Sequence, residues 1–246
     1  MKKFDDFGKR MKEYEHAFRF YLPKRMPVVI RIDGCHFHSY TKSFTKPFDE
    51  QLIEAFWETG KFLGQQIMGC KLVYHQSDEL SLLLTNYDKM NTESWFGNNL
   101  QKIVSVSASL ATAKFNEMIQ RQNINPILAT FDSRAWILPQ QEVDNYFIWR
   151  QQDAIKNSIS MVAQSQFSAK QLHGLNTKQL LEKLRVERNI NWADLPIWQQ
   201  RGVCLVKKQH IKNNATRSIW DVDLETPDFL QERPYINQHI YINTAE

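Results

Sequence analysis

Apolar positions along the chain follow two rhythms, one helical and one extended. Phe4, Phe7, Met11, Tyr14 and Phe18 recur at helical spacing, which predicts an amphipathic helix that docks an aromatic face on a core; Pro23 and Pro27 close it off. Val28 to Asp33 (Val-Val-Ile-Arg-Ile-Asp) is β-branched and too short for a helix, so it predicts a buried strand. Leu52, Ile53, Phe56, Gly60, Leu63 and Ile67 mark a second helix, with Asp49 and Glu50 suited to its positive N-terminal end. Leu72–Tyr74 and Leu80–Leu84 predict two strands around a hairpin-like Ser77-Asp78-Glu79 turn. A long helix is expected from about Trp95 to Gln120, with Leu100, Ile103, Val104, Ser107, Ala111, Phe115, Met118 and Ile119 on one stripe. Its small residues Ser105, Ser107, Ala108, Ser109 and Ala111 would let it lie close to a sheet. Pro126–Leu138 is the fourth expected strand.

That order, β-α-β-β-α-β, predicts an α+β, ferredoxin-like unit in which the first and third strands are central neighbours. Asp33 at the end of the first strand and Asp78 at the turn into the third would then meet at one edge of the sheet. The core is expected over 1–138. Residues 139–246 are expected as a mostly helical elaboration, with helices over 140–166, 168–174 and 176–184. Asn176 and Gln179 form a capping pair there, 202–207 reads as a small β element, and the tail is poorly periodic.

With 246 residues and 42% hydrophobic content the chain can bury a full core, and no apolar run reaches the ~18 residues of a membrane span. The opening residues lack a signal-peptide core, so a cytoplasmic protein with no membrane partner is expected. Cys35, Cys70 and Cys204 are widely spaced and form no C-x-x-C pair, which argues against a disulfide framework or zinc site. The net charge of +4 is modest, but its distribution is uneven. Arg201, Lys207, Lys208, Lys212 and Arg217 form a stretch free of acids, and acids alone follow from Asp221 to Glu232. Such a cationic stretch suits nucleic-acid phosphates; it also suits a solvated hairpin whose lysines guard a sheet edge.

Two carboxylates brought together by strands require a cation between them, and the expected occupant is a pair of Mg²⁺ ions completed by a substrate's phosphates. The plainer reading is that Asp, Ser and Gly terminate strands. After Asp33 come Gly34, Cys35, His36, Phe37 and His38, where a glycine permits close backbone approach and successive N–H groups form an anion nest. His36 or His38 would suit stacking on a base, or simply the surface. Lys46 lies in a loop before a helix and suits a phosphate. Arg134, in an apolar strand, must reach solvent, an acid or a phosphate. Arg150, Asp153 and Asn157 share one helix face, either as a local ion pair or as a polar stripe touching RNA. No nucleophile elbow, Walker loop or Rossmann glycine pattern is present.

Five segments together carry a family resemblance: Arg31-Ile-Asp33-Gly34-Cys-His-Phe37-His38, Phe44-Thr-Lys46-Pro-Phe-Asp49, Gln76-Ser77-Asp78-Glu79, Phe131-Asp-Ser-Arg134 and Trp149-Arg150-Gln151-Gln-Asp153. In order and spacing the chain resembles the tRNA(His) guanylyltransferase superfamily, in particular its bacterial and archaeal guanylyltransferase-like branch of 3′ to 5′ polymerases. The resemblance implies a polymerase-type palm in which Asp33, the Gly34 carbonyl and Asp78 hold two Mg²⁺, with Glu79 supporting them. It implies ATP and GTP as substrates, held by the Gly34–His38 turn, and places Lys46, Asp49, Ser77, Lys102 and Arg134 near nucleotide or tRNA. Asn99 stands where the family has an arginine. Where eukaryotic members read His-Ile-Asn-Asn-Leu-Tyr-Asn, this chain reads Ile155-Lys-Asn157-Ser-Ile159-Ser160, which favours template-dependent repair of 5′-truncated tRNA over G addition to tRNA(His) alone. The resemblance also implies a homotetramer built as a dimer of dimers. Two other classes share the element order: a non-catalytic RNA-binding module, which would need aromatic residues on an open strand face, and another palm enzyme such as a nucleotide cyclase.

Overall fold

The computed structural model describes residues 6–122, 125, 127–212 and 215–241, the side chains of 210–212 and 215 excepted. Phe4, Pro126 and the Lys212 side chain, used above, therefore lie outside the described residues. Helix α1 (Asp6–Ala17) is followed by β1 (Val28–Gly34), the single-turn α2 (Phe37–Tyr40), α3 (Glu50–Gln66), β2 (Cys70–Gln76), β3 (Glu79–Leu84), α4 (Leu100–Arg121) and β4 (Phe131–Ile137). After these come α5 (Gln140–Gln166), α6 (Ala169–Leu172), α7 (Thr177–Arg188), α8 (Ile197–Arg201), β5 (Val203–Lys212), β6 (Ala215–Asp223) and α9 (Pro234–Asn237). The strands form one antiparallel sheet in the order β4-β1-β3-β2-β5-β6. Its first four strands are the ferredoxin-like unit, with β1 and β3 adjacent in the middle, as the order of elements predicts.

Strands β1 and β3 are covered on both faces, which is why they read as mostly apolar runs, interrupted by Arg31 and Ser81. Val28, Ile30, Ile32, Leu80 and Leu82 pack with Phe56 and Leu63 of α3 and with Ile103, Ala111 and Phe115 of α4. On the other face Val29, Leu72, Tyr74 and Leu83 meet Val143, Tyr146 and Phe147 of α5. An RNA-recognition surface has no room on strands covered in this way. Ile159, Val162 and Ala163 of α5 form a third cluster with Phe167 and with Leu180 and Leu184 of α7. Asn176 caps α7, its side chain accepting from the Gln179 amide at 3.1 Å while Gln179 accepts in return. No helix among the described residues is long and apolar enough to cross a membrane.

The structure departs from the sequence expectations in several places. Helix α1 forms, but none of its residues is buried: Phe7 is 62% exposed, and Tyr14 and the following Phe18 are similarly open, because no other element among the described residues covers that face. Along α4, Ser107 and Ala111 sit against the sheet, whereas Ser105 and Ser109 point to solvent. Strand β4 starts only at Phe131; before it, Asn116 holds Ala129 through both backbone groups, at 2.8 and 2.9 Å. The expected small β element is a two-stranded ribbon, β5 with β6, and β5 pairs with β2, so the sheet runs across the expected boundary at 138. The aperiodic tail is a strap over the second core, where Phe229, Ile236 and Ile240 are fully buried. Gln151 anchors it, donating to Pro227 O at 2.9 Å and accepting from Phe229 N at 2.8 Å, and Arg233 reaches Asp144 at 2.7 Å.

Phe115 ties the two sides of the main core together, with ring centroids 4.7 Å from Phe56, 5.2 Å from Phe131 and 5.7 Å from Phe37. Truncating so completely enclosed a ring removes its transfer energy and leaves a cavity. Phe115→Ala is expected to cost about 3–5 kcal/mol, read as a lowered midpoint in urea unfolding.

Candidate active site

The C-terminal end of β1 and the turn between β2 and β3 are bonded directly to each other. The Gly34 amide donates to the Asp78 carbonyl at 3.1 Å, and the Cys35 amide donates to Thr130 O at 2.8 Å. Gly34 carries no side chain for a concrete reason: a Cβ there would run into the Phe37 ring. Register then lines up Glu79, Asp33 and Asp132 across β3, β1 and β4. Burial, and after it the Asp33 charge, raise the Asp78 carboxyl above its ordinary value. Asp78 accepts from Ser77 Oγ at 3.1 Å, and the nearest cation to Asp33 is Arg31 at 4.0 Å. Among the described residues, Asp78 has no ion pair and Asp33 has one, to Arg31, at a long 4.0 Å.

Ser77 adopts a left-handed backbone, φ 53°, which a serine holds only when its surroundings insist. His75 supplies part of that insistence. Its ring is stacked on Phe56 at 4.8 Å, and burial holds its pKa down to about 4, so the imidazole is neutral. A carbonyl can only accept, so Nε2 bears the proton and donates to Ser77 O at 3.0 Å. Nothing in the sequence singled out His75, because a histidine inside an apolar strand leaves no pattern.

A cavity of ≈ 500 Å³ opens from this turn, within the range of roughly 300–1,000 Å³ typical of ligand pockets. His38, Thr45, Lys46, Asp49, Ser77, Asp78 and Asn157 line it on the polar side, and Phe44, Phe48, Trp57, Met161 and Trp198 on the apolar side. Lys46 Nζ lies 3.5 Å from Thr41 Oγ1, just before the cis Lys46-Pro47 bond. Both Asp49 oxygens are engaged, accepting from Leu52 N at 2.9 Å and Thr45 N at 3.0 Å as the cap of α3. His36 is exposed with φ 56° and Cys35 is half-buried. The Phe37 ring belongs to the core, so that residue offers the turn its backbone.

Other expected site residues lie elsewhere. Glu79 does not face the rim. It is 4% exposed and clamped by Arg150, Nε at 2.9 Å and Nη2 at 2.6 Å, with Ser81 Oγ donating at 2.9 Å. Arg150, expected on an RNA-facing stripe, is 6% exposed for the same reason, since strand alternation turns Glu79 inward beneath α5. Asp153 bonds Arg150 at 3.1 Å, which leaves Asn157 as the member of that stripe exposed at the cavity. Arg134 is exposed on the edge strand, 3.4 Å from Asp132. Lys102 sits apart, in a hollow of ≈ 270 Å³ with Arg19, Tyr21 and Phe96. On the ribbon, Lys207 covers the Trp220 ring at 5.7 Å and Lys208 pairs with Asp221 at 3.2 Å. Asp132 and Trp198 were missed, the first as one acid in a polar run, the second for want of any local motif.

The family model for tRNA(His) guanylyltransferase matches residues 8–139. The chain belongs to this family. A bacterial tRNA(His) guanylyltransferase-like protein solved in complex with ATP superposes with a TM-score of 0.92 at 61% identity, over 97% of this chain and 100% of that one. The same kind of protein in complex with GTP gives 0.86 at 60%, over 96% and 100%. The tRNA(His) guanylyltransferase of Schizosaccharomyces pombe is 28% identical, over 92% of this chain and 95% of its own. The family model ends near β4, and the two solved bacterial relatives extend the likeness over α5, α8 and the ribbon.

Two consequences can be measured. A carboxyl whose folded pKa is raised stabilises the fold in acid and less as pH rises from the ordinary carboxylate value through the raised one. Asp78→Asn is therefore expected to raise the thermal midpoint at pH 7 in EDTA, with the gain shrinking toward pH 3. Removing one partner of a buried ion pair strands the other, so Arg150→Met is expected to cost about 3–5 kcal/mol in urea unfolding.

Proposed function

We propose that this protein adds nucleotides to the 5′ end of tRNA in the 3′ to 5′ direction, templated by the opposite strand of the acceptor stem, and so repairs 5′-truncated tRNAs. The observation that carries this reading is the convergence of Asp33 on Asp78, joined through the Gly34 amide and interacting by charge, with Asp78 lining a nucleotide-sized cavity. Membership of the guanylyltransferase family supports it, as do the ATP and GTP complexes of a bacterial relative.

The donor set suits Mg²⁺: two like-charged carboxylates, with Arg31 at a long 4.0 Å from Asp33, and the Gly34 carbonyl beside them, are hard oxygens. Among the described residues no three His, Cys, Asp or Glu side chains gather as a metal group, so phosphates and water would complete the coordination. Asp33, Gly34 and Asp78 would hold two such ions, which when bound lower the pKa of an attacking hydroxyl and neutralise a leaving pyrophosphate.

The chain's own residues supply the rest. Backbone N–H groups from His36 to His38, with Lys46 and Ser77, cradle a triphosphate, the Cys35 amide being committed to Thr130 O, and the apolar wall excludes water around the base. Activation joins the tRNA 5′-monophosphate to the α-phosphorus of ATP and releases pyrophosphate. The 3′-hydroxyl of the incoming NTP then attacks the activated 5′-phosphorus, forming the new phosphodiester and expelling AMP. Lys102, in its own hollow, suits the incoming triphosphate. Arg134 and the ribbon residues Lys207 and Lys208 suit the tRNA backbone. The open aromatic face of α1 suits the assembly of copies into a tetramer.

With labelled NTP, Mg²⁺ and a 5′-truncated tRNA, the product is expected to lengthen at its 5′ end. Asp33→Ala and Asp78→Ala are expected to fold normally and lose extension by several orders of magnitude. Extension at the parent rate in either variant defeats the assignment, and cyclic nucleotide or a bare mobility shift favours a cyclase or a binding module.

A further inference from the structure

Trp149 stands on α5, most of whose neighbouring turns are buried, yet it is 53% exposed. The Arg150 guanidinium lies over its ring at 4.6 Å, and Tyr146 lies beside it at 6.0 Å with a tilt of 60°. Neither neighbour can move freely. Arg150 is fixed by its two bonds to Glu79, and the Tyr146 hydroxyl is 2.8 Å from Ser81 Oγ, which itself donates to Glu79. The indole is thus a rigid, half-open plane backed by a cation.

Its place in the sheet matters as much as its rigidity. Glu79 is the register partner of Asp33, and Arg31 lies 4.0 Å from both of these acids. Tyr146 also contacts Trp136 at 5.5 Å, on β4, whose Arg134 is the register partner of Arg31. Trp149 therefore sits one side chain away from the acid row, on the face that carries Arg31, Arg134 and Arg150. A flat aromatic surface among cations, rather than among other apolar side chains, suits a nucleobase attached to a phosphate chain better than it suits a protein surface.

We propose that Trp149 is a stacking platform for the base at the 5′ end of the RNA, presenting that end to Asp33 and Asp78. Stacking on an aromatic face tolerates any base, as an enzyme that acts on variously truncated ends requires. Arg150 acts through Trp149 as a positioning residue, linking the angle of the platform to the Glu79 anchor. This inference rests on the nucleotide-addition reading.

The test uses a 5′-truncated tRNA carrying 2-aminopurine as its 5′-terminal base, titrated with the full chain in Mg²⁺ without NTP. The parent protein is expected to quench the probe, and Trp149→Phe to retain most of the quenching. Trp149→Leu is expected to lose it and to bind the tRNA roughly five- to a hundred-fold more weakly, the range of one base stacked on an aromatic ring. Thermal midpoints of both variants report folding independently. Undiminished quenching by Trp149→Leu overturns the inference, as does equal weakening by Phe and Leu, or a change confined to the oligomeric state seen by light scattering. Extension of unmodified 5′-truncated tRNA by the parent protein is scored separately: if it occurs, only the stacking role is at stake, and if it does not, the function reading falls and takes this inference with it.

Discussion

The hydrogen bond from the Gly34 amide to the Asp78 carbonyl joins two chain reversals that lie far apart in sequence, and the chemistry of the site depends on that join. It exists because β1 and β3 are adjacent and in a register that sets Asp33 opposite Glu79, one residue from Asp78. The mostly apolar runs of these strands, with Arg31 and Ser81 on one face, fix the register. Each needs cover on both faces, and a slip by one residue would turn Arg31 and Asp33 into the α3–α4 core.

Holding two acids together costs free energy, and the surroundings show where it is offset. Phe37 packs under Gly34, so the first turn is braced by the main core rather than by the acids. His75 braces the second through a neutral imidazole, which adds a donor without adding a charge. Beneath both, the Glu79–Arg150 pair anchors α5 to the sheet end. A buried pair of this kind is weak evidence of stability, but it fixes geometry, because either partner left alone is costly.

Much of this was legible in the residues. Short β-branched runs ending in Asp-Gly and Ser-Asp mark the strands and their turns, and the order of elements alone brings Asp33 to Asp78. Glu79 was harder. It is adjacent to Asp78 in sequence, yet a single step along a strand reverses the side chain, and its partner Arg150 is 71 positions away. The ribbon was half visible, since the Lys207-Lys208-Gln-His run has the polarity of a loop once β5 leaves its pairing with β2. The aromatic face of α1 has the period of a buried helix, and period reports what a face can pack against, not whether the other described elements cover it.

The cavity is walled by parts of the chain that lie far apart in sequence. One side comes from the loop before α3 and the Ser77 turn; the other comes from α5 and α8, with Asn157, Met161 and Trp198. The acids and the first wall fall within the residues that the family model matches, and the second wall falls in the stretch over which the solved bacterial relatives also match. Because the far wall stands on α5 and α8 while the carboxylates stand on the sheet, substitutions in that wall can reshape the cavity and leave the acidic edge in place.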